Sequence, residues 1–248
     1  MEEEGKNMAN ENGEWIMRGL DWDNPYRIRT PEELINYINR VGFLPLFANE
    51  VPGFSAEEHV SPLFWWTGDP EQDPWMWREM IARSGRVAYG KFFNRKTGFI
   101  SKEWLPAFAN YRRNGYDFDA LWDDEMASFR EKKIMDLFET EDELYSFEIK
   151  KKAGFGKEGE KNFEGVITSL QMKGYLTVRD FRKRRRKKDG KEYGWPISVY
   201  STMEKFIGKE IIYAAYKEDP LLSCQRIISR IKEEYPWAEE KDIEKVMK

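Results

Sequence analysis

Hydrophobic positions recur at helical spacing near the start of the chain. Residues 30–33 read TPEE, which places an N-cap threonine before a proline at the first helical position and a glutamate at the third. Leu34, Ile38 and Val41 then share one face, and Gly42 follows as a typical C-terminal stop. The spacing therefore predicts an amphipathic helix that ends at Gly42.

Segments with a different pattern follow this helix. Residues 87–93 read VAYGKFF, a run rich in strand-forming residues, and a turn leads to residues 99–100, which are expected to pair back as a hairpin. Helices are predicted after Pro74 and after Ser101. This combination of predicted helices and a predicted β-hairpin indicates an N-terminal α+β domain over residues 25–120.

From about residue 125 the pattern changes to three consecutive helices followed by two alternating strands. The third helix, predicted over 163–175, has apolar residues at i, i+3, i+4 and i+7. The strands flank a basic turn that contains the Asp189-Gly190 pair, which is typical of hairpins. This order is that of a winged helix. The predicted fold class is therefore α+β, mainly α, with a winged-helix domain at 121–216.

The remaining segments complete the predicted organisation. Residues 1–24 are polar without a sustained period and are expected to form a flexible arm, while 217–248 are expected to form a C-terminal helical segment. No apolar run reaches the roughly 18 residues that a membrane helix needs, and the acidic N-terminus is unlike a signal peptide. We therefore expect a cytoplasmic protein with no membrane partner.

Charge is distributed unevenly along the chain. Residues 179–191 contain nine basic and two acidic side chains, a local charge of +7, and because the whole chain carries -4 the remainder carries -11. A positive hairpin tip can neutralise DNA phosphates, and such binding falls steeply with added salt. The predicted phosphate contacts are the seven consecutive residues Arg182, Lys183, Arg184, Arg185, Arg186, Lys187 and Lys188.

The third predicted helix supplies further candidates, because a winged helix places this helix in the DNA major groove. The outward residues expected to reach bases or phosphates are Thr168, Gln171 and Lys173. Glu164 on the same side disfavours DNA, and a merely solvated face is the alternative. Double-stranded DNA is the predicted partner. A transcriptional regulator, or a module whose basic hairpin binds an acidic protein or RNA, remains an open alternative.

The aromatic content is high, with 10 Trp, 12 Tyr and 16 Phe. An aromatic-rich core is the favoured interpretation, and a stacking surface for bases or sugars is the alternative. Asp69, Glu71 and Asp73 lie among tryptophans, either as a pocket wall that performs acid–base chemistry or as a helix start beside core tryptophans. The helix start is the favoured interpretation.

The sequence contains little that indicates a metal or cofactor site. The single cysteine, Cys224, excludes a multi-cysteine zinc or iron–sulfur site, and the single histidine, His59, lies in a polar loop where we expect it to be exposed. No phosphate loop, dinucleotide fingerprint or nucleophile elbow is present. We therefore predict no metal and no cofactor.

Several segments resemble a known family. Within residues 163–202 these are FEGVITSLQMKGYLTVRDF and GWPISVYST, and upstream they are DPWMWR at 73–78, YGKF at 89–92 and SKEWLP at 101–106. Over residues 30–235 the chain resembles the AlkZ-related proteins, which are relatives of the YcaQ/AlkZ DNA glycosylases built from winged-helix units. The resemblance implies DNA handling, in repair or in protection against alkylating agents.

The chain departs from the true glycosylases at the catalytic motif. Those enzymes carry a Gln-x-Gln pair just after the first helix, where it orients a water against the deoxyribose carbon of the damaged nucleotide. The comparable residues here are Leu44, Pro45 and Leu46, whose side chains can neither accept a proton nor position water. The catalytic residues are therefore unknown, and the resemblance predicts a DNA-binding relative that lacks this motif.

Overall fold

The structure is a computed structural model that describes residues 17–248. Of the predicted flexible arm, residues 1–16 lie outside the described residues. In the described part of the arm, Leu20 donates its backbone N–H to the carbonyl of Val60 at 3.0 Å. This hydrogen bond joins the end of the arm to the loop region that precedes the second helix.

The N-terminal part combines helices with a small antiparallel sheet. Its elements are α1 (Pro31–Val41), β1 (Phe43–Pro45), 3-10 helices at Glu57–His59 and Pro62–Phe64, α2 (Pro74–Ser84), β2 (Val87–Phe93) and β3 (Lys96–Ser101). The Thr30 side chain accepts the N–H of Glu33, and Gly42 ends α1 at a φ of 89°, which confirms the predicted start and stop. The predicted hairpin is also present, because β3 pairs with β2 on one side and β1 on the other.

The middle part contains six helices within the described residues and a second antiparallel sheet. Its elements are α3 (Leu105–Arg113), α4 (Phe118–Asp123), α5 (Phe129–Met135), α6 (Leu137–Thr140), β4 (Leu144–Tyr145), α7 (Ser146–Lys152), α8 (Phe163–Met172), β5 (Leu176–Arg185) and β6 (Glu192–Thr202). The strand order is β4-β6-β5, so the two-residue strand β4 joins the hairpin formed by β5 and β6. The architecture is therefore mixed α+β, as predicted.

The C-terminal part is helical. Its elements are α9 (Met203–Phe206), α10 (Lys209–Ile212), α11 (Pro220–Glu234) and α12 (Glu240–Met247). The side chain of Asp219 accepts the N–H of Leu221 and caps α11, which has a proline at its first position. None of the helices in the described part of the chain has both the length and the apolar character needed to cross a bilayer.

Two hydrophobic cores draw residues from distant parts of the sequence. One contains both Ile38 of α1 and Leu170 of α8, and the other contains both Phe108 of α3 and Ile231 of α11. Each core therefore includes residues from both sides of at least one predicted domain boundary. The division of the chain into domains stays a prediction.

His59 is half-buried rather than exposed as expected. The hydroxyl group of Tyr37 lies 2.6 Å from its Nε2, and the carbonyl oxygen of Gly53 lies 2.8 Å from the same nitrogen. Burial lowers the pKa of His59, because the charged imidazolium is poorly solvated in this position. The histidine therefore belongs to the packing of the loop against α1.

Candidate nucleic-acid interface

The predicted basic run forms the outer end of the hairpin formed by β5 and β6. Residues 183–188, which we call the basic tip, are all exposed. The turn is closed by hydrogen bonds between Arg186 and Lys191 and between Gly190 and Arg186, both 2.9 Å long. Gly190 has a φ of 67°, which a glycine adopts without strain. This conformation explains why the predicted turn carries a glycine after Asp189.

Most of the charges on the basic tip are available to a partner. Arg185 pairs with Glu192 at 3.3 Å and Arg186 with Asp189 at 3.4 Å, and both arginines are more than half exposed. Exposed pairs contribute only about 0 to 1 kcal/mol, so a phosphate can displace them. The tip residues that form no ion pair in the described part of the chain are Lys183, Arg184, Lys187 and Lys188.

Arg182 has a different position from the other six predicted phosphate contacts. Its guanidinium group pairs with Glu143 and with Asp180, whose Oδ2 lies 2.5 Å from its Nε. Hydrogen bonds to Glu143 raise the pKa of Arg182, although partial burial opposes the shift. Arg83 of α2 reaches the same Asp180 at 2.7 Å. Arg182 therefore anchors the base of the hairpin, and the solvent-facing charge begins at Lys183.

Two of the predicted base-reading residues face the interior. Thr168 is 4% exposed and Gln171 is 1% exposed, so the expectation that they lie on the outward side of the helix is wrong. The reason is that β2 packs against α8. The backbone N–H of Lys91 donates to Gln171 Oε1 at 3.1 Å, and Lys91 Nζ donates to Thr168 Oγ1 at 3.3 Å.

Lys173, the third predicted helix contact, is half-buried and pairs with Glu131 at 2.7 Å. Burial would raise the pKa of Glu131, but Lys173 and other donors lower it below its usual value. Ser169 also donates to Glu131, at 2.9 Å. Lys173 therefore joins α8 to α5.

The part of α8 that faces solvent borders a groove of about 420 Å³. Two of the predicted residues, Thr168 and Lys173, line this groove together with Asn162, Gly165, Ser169 and Arg95, which were not among the predicted contacts. Arg95 lies in the turn between β2 and β3 at a φ of 66° and is exposed. Sequence reasoning missed Arg95, because only the packing of the two distant segments brings it beside α8.

We predict that Gln171→Ala weakens the fold and not DNA binding. Its loss removes the acceptor for the partly buried N–H of Lys91, so we expect the free energy of unfolding to fall by about 1 to 3 kcal/mol. Urea denaturation measures the first effect and fluorescence anisotropy with labelled duplex DNA the second. Glu164→Ala on the exposed side of the same helix is the control and should change stability by less than about 0.5 kcal/mol. A large loss of DNA affinity with unchanged stability would contradict this interpretation.

Leu44 and Leu46, which the resemblance compares with the Gln-x-Gln pair, belong to the hydrophobic core. Leu44 is 0% exposed and Leu46 is 1% exposed, and Leu44 pairs with Phe99 across the sheet. An oriented water needs polar partners, and apolar side chains supply none. Packing residues therefore occupy the positions that the resemblance sets against the catalytic amides of the true glycosylases.

Comparison with known proteins identifies the family. The model of the family described as AlkZ related matches residues 28–248, a span that includes α1, the basic tip and α12. No curated protein and no solved structure shows a significant match to the chain. Because the family match covers nearly the whole sequence, the chain belongs to the AlkZ-related family.

Proposed function

We propose that this protein binds double-stranded DNA through its phosphate backbone and acts in DNA repair or protection without excising a base. The observation that carries the proposal is the basic tip, six consecutive exposed cations at residues 183–188 in a member of the AlkZ-related family. Each cation can neutralise one phosphate and release condensed counterions, which favours binding at low salt.

The arrangement of residues 121–216 supports this role. The chain passes through α5 and α6, the short strand β4, the helices α7 and α8 and then the hairpin, and β4 joins β5 and β6 in one sheet. We infer that this is a winged-helix unit in which the hairpin is the wing. A wing contacts the DNA backbone or the minor groove. It therefore depends more on positive charge and on long side chains than on side chains that read bases.

The charge of the rest of the protein favours a defined orientation on DNA. The segment 179–191 carries +7 while the remaining residues together carry -11. An acidic body is repelled by phosphates and a basic hairpin is attracted, so the hairpin is expected to meet the DNA first. The burial of Thr168 and Gln171 supports binding that depends on the backbone rather than on base sequence.

The family membership suggests DNA repair or protection, and the buried leucines argue against base excision. Leu44 and Leu46 contribute to the core at the place of the missing amides. We therefore expect a protein that binds DNA and releases no base from alkylated duplexes. The role would then be to cover a DNA site or to recruit another protein to it.

The test is the salt dependence of duplex binding for the parent and for the triple variant Arg184→Ala, Lys187→Ala, Lys188→Ala. Each lost phosphate contact lowers the slope of log affinity against log salt by about 0.9, so three contacts should lower it by about 2.7. At 50 mM salt the variant should bind at least about tenfold more weakly. A charge-matched control carries Lys102→Ala, Lys157→Ala and Lys217→Ala, which remove three exposed lysines elsewhere. Equal slopes for parent and triple variant, or no binding by the parent at low salt, would reject the proposal.

A further inference from the structure

A cleft lined by aromatic side chains lies beside the hairpin formed by β5 and β6, below the basic tip. This aromatic cleft has a volume of about 650 Å³, within the range of sites that hold small planar groups. One wall comes from α2 and the loop before it, and the other comes from β6. The aromatic and apolar lining residues are Trp66, Trp75, Met76, Trp195 and Pro196.

Trp195 presents its ring to solvent. It is 89% exposed, whereas Val199, four residues further along the same strand, is 1% exposed. A tryptophan normally buries a large apolar area, and an exposed one contributes little to the stability of a fold. Trp195 is therefore available to stack against a partner, and its removal should leave the fold intact.

Trp66, on the opposite wall, is half-exposed and held in place. Its φ of 59° is uncommon for a residue with a bulky side chain. Asp73 stabilises this conformation by accepting the backbone N–H groups of Trp66 at 3.1 Å and of Gly68 at 2.9 Å. The ring of Trp66 also packs against Trp75 with centroids 6.3 Å apart. This wall is thus organised before any ligand arrives.

A buried cation supports the inner side of the same wall. The guanidinium carbon of Arg78 lies 3.6 Å from the ring centroid of Trp75 and 4.3 Å from that of Phe181. The Arg78 side chain is 8% exposed, and its Nε has no hydrogen-bond partner among the described residues. Held between two rings, Arg78 fixes Trp75 against the stem of the hairpin.

The lining of the aromatic cleft carries both signs of charge, with Lys183 and Arg78 against Asp73 and Glu79, and Lys183 connects it to the basic tip. Lys183 is the first residue of the basic tip and also lines the aromatic cleft. Cations that follow a nucleic-acid backbone, with aromatic rings beside them, are how proteins hold unpaired bases, because every base has a π-face. In an intact duplex both faces of each base are covered by the neighbouring pairs, so such a base cannot enter the cleft.

We infer that the aromatic cleft stacks an unpaired nucleobase of DNA whose backbone lies along the basic tip. The substrate class is then DNA with unpaired bases, such as a bulge or a gap, rather than intact duplex. This inference rests on the proposed function, because the basic tip supplies the backbone contact. Neither Leu44 of β1 nor Leu46, which follows β1, lines this cleft.

The experiment measures the affinity of the full chain for a labelled 20-base-pair duplex and for the same duplex with one unpaired base. The parent is compared with Trp195→Ala and with Trp22→Ala, a control at another tryptophan that is 61% exposed and lies outside the cleft. We expect the parent to bind the bulged duplex at least about fivefold more tightly than the intact one. Trp195→Ala should remove this preference while leaving intact-duplex affinity and the melting temperature unchanged, and Trp22→Ala should keep it.

The other outcomes separate this inference from the proposed function. Equal affinity of the parent for both duplexes overturns the inference while leaving backbone binding in place. A preference that persists in Trp195→Ala also overturns it, since the stacking ring would then be elsewhere. If the parent binds neither duplex at low salt, both the inference and the proposed function are wrong.

Discussion

Replacing Glu204 with alanine is expected to lower the free energy of unfolding by about 3 to 5 kcal/mol. The side chain of its partner, Arg113, is 0% exposed, and Glu204 Oε1 lies 2.5 Å from Arg113 Nη1. Arg113 also donates to the Tyr216 hydroxyl group at 2.9 Å and to the Gly174 carbonyl oxygen at 2.5 Å. Without Glu204 these neutral partners remain, and a buried cation is left uncompensated.

The direction of the pKa shift shows why the charge persists. Burial alone would lower the pKa of Arg113, but Glu204 and Tyr216 together raise it above its usual value. Removing Glu204 takes away much of this upward shift, but an arginine side chain does not release its proton in proteins, so Arg113 stays charged in the variant. The variant must either unfold more readily or admit water to the site.

Urea denaturation followed by circular dichroism measures this effect. Glu210→Ala, which removes an exposed glutamate in the neighbouring helix α10, is the control and should change stability by less than about 0.5 kcal/mol. Adding Arg113→Met to Glu204→Ala should recover much of the loss, because an apolar side chain then replaces the unpaired charge. A loss below about 1 kcal/mol in the single variant would show that the pair is not effectively buried.

Replacing Trp77 with alanine is expected to cost about 3 to 5 kcal/mol of stability. Trp77 lies in α2, is 1% exposed and is among the largest fully buried side chains. Its removal leaves a cavity beneath the helix that carries Trp75 and Arg78 to the aromatic cleft. Stability is measured by urea denaturation, and near-ultraviolet circular dichroism reports the packing of the remaining tryptophans.

Trp77→Phe separates ring volume from hydrogen bonding. The Nε1 of Trp77 has no hydrogen-bond partner among the described residues, so phenylalanine removes a polar group that makes no bond. We expect this variant to lose less than half of what the alanine variant loses, since most of the apolar area is retained. If Trp77→Phe and Trp77→Ala lowered the free energy of unfolding equally, the loss of stability would not come from the cavity.

Elements with local signals could be predicted from the sequence. Thr30 and Gly42 delimit α1 through their own side chain and backbone conformation, and the Asp189-Gly190 turn closes the basic hairpin. Strand β4 could not be predicted in this way. It has only two residues, Leu144 and Tyr145, and exists because they pair with Tyr200 and Val199 across the sheet.

The candidate site could be predicted only where its chemistry is local. A run of basic residues is exposed wherever a hairpin carries it, because burying so many charges costs too much. The orientation of Thr168 and Gln171 depends instead on β2, some 80 positions earlier, and helical periodicity treats a polar residue as outward. For Trp195 the error has the opposite sign. An apolar residue at an alternate position of a strand suggests burial, but the structure leaves Trp195 exposed.

The concentration of like charge on the basic tip has a consequence for the hairpin itself. Arg184 and Arg185 pair across the strands with Tyr193 and Glu192, so a single carboxylate opposes this part of the run. Mutual repulsion among neighbouring cations then works against strand pairing, and we expect the outer hydrogen bonds to open more readily than those near Val199. A bound polyanion relieves the repulsion. The hairpin formed by β5 and β6 should therefore be most ordered when a polyanion is bound to the basic tip. Ordering the outer hydrogen bonds then offsets part of the favourable free energy of binding.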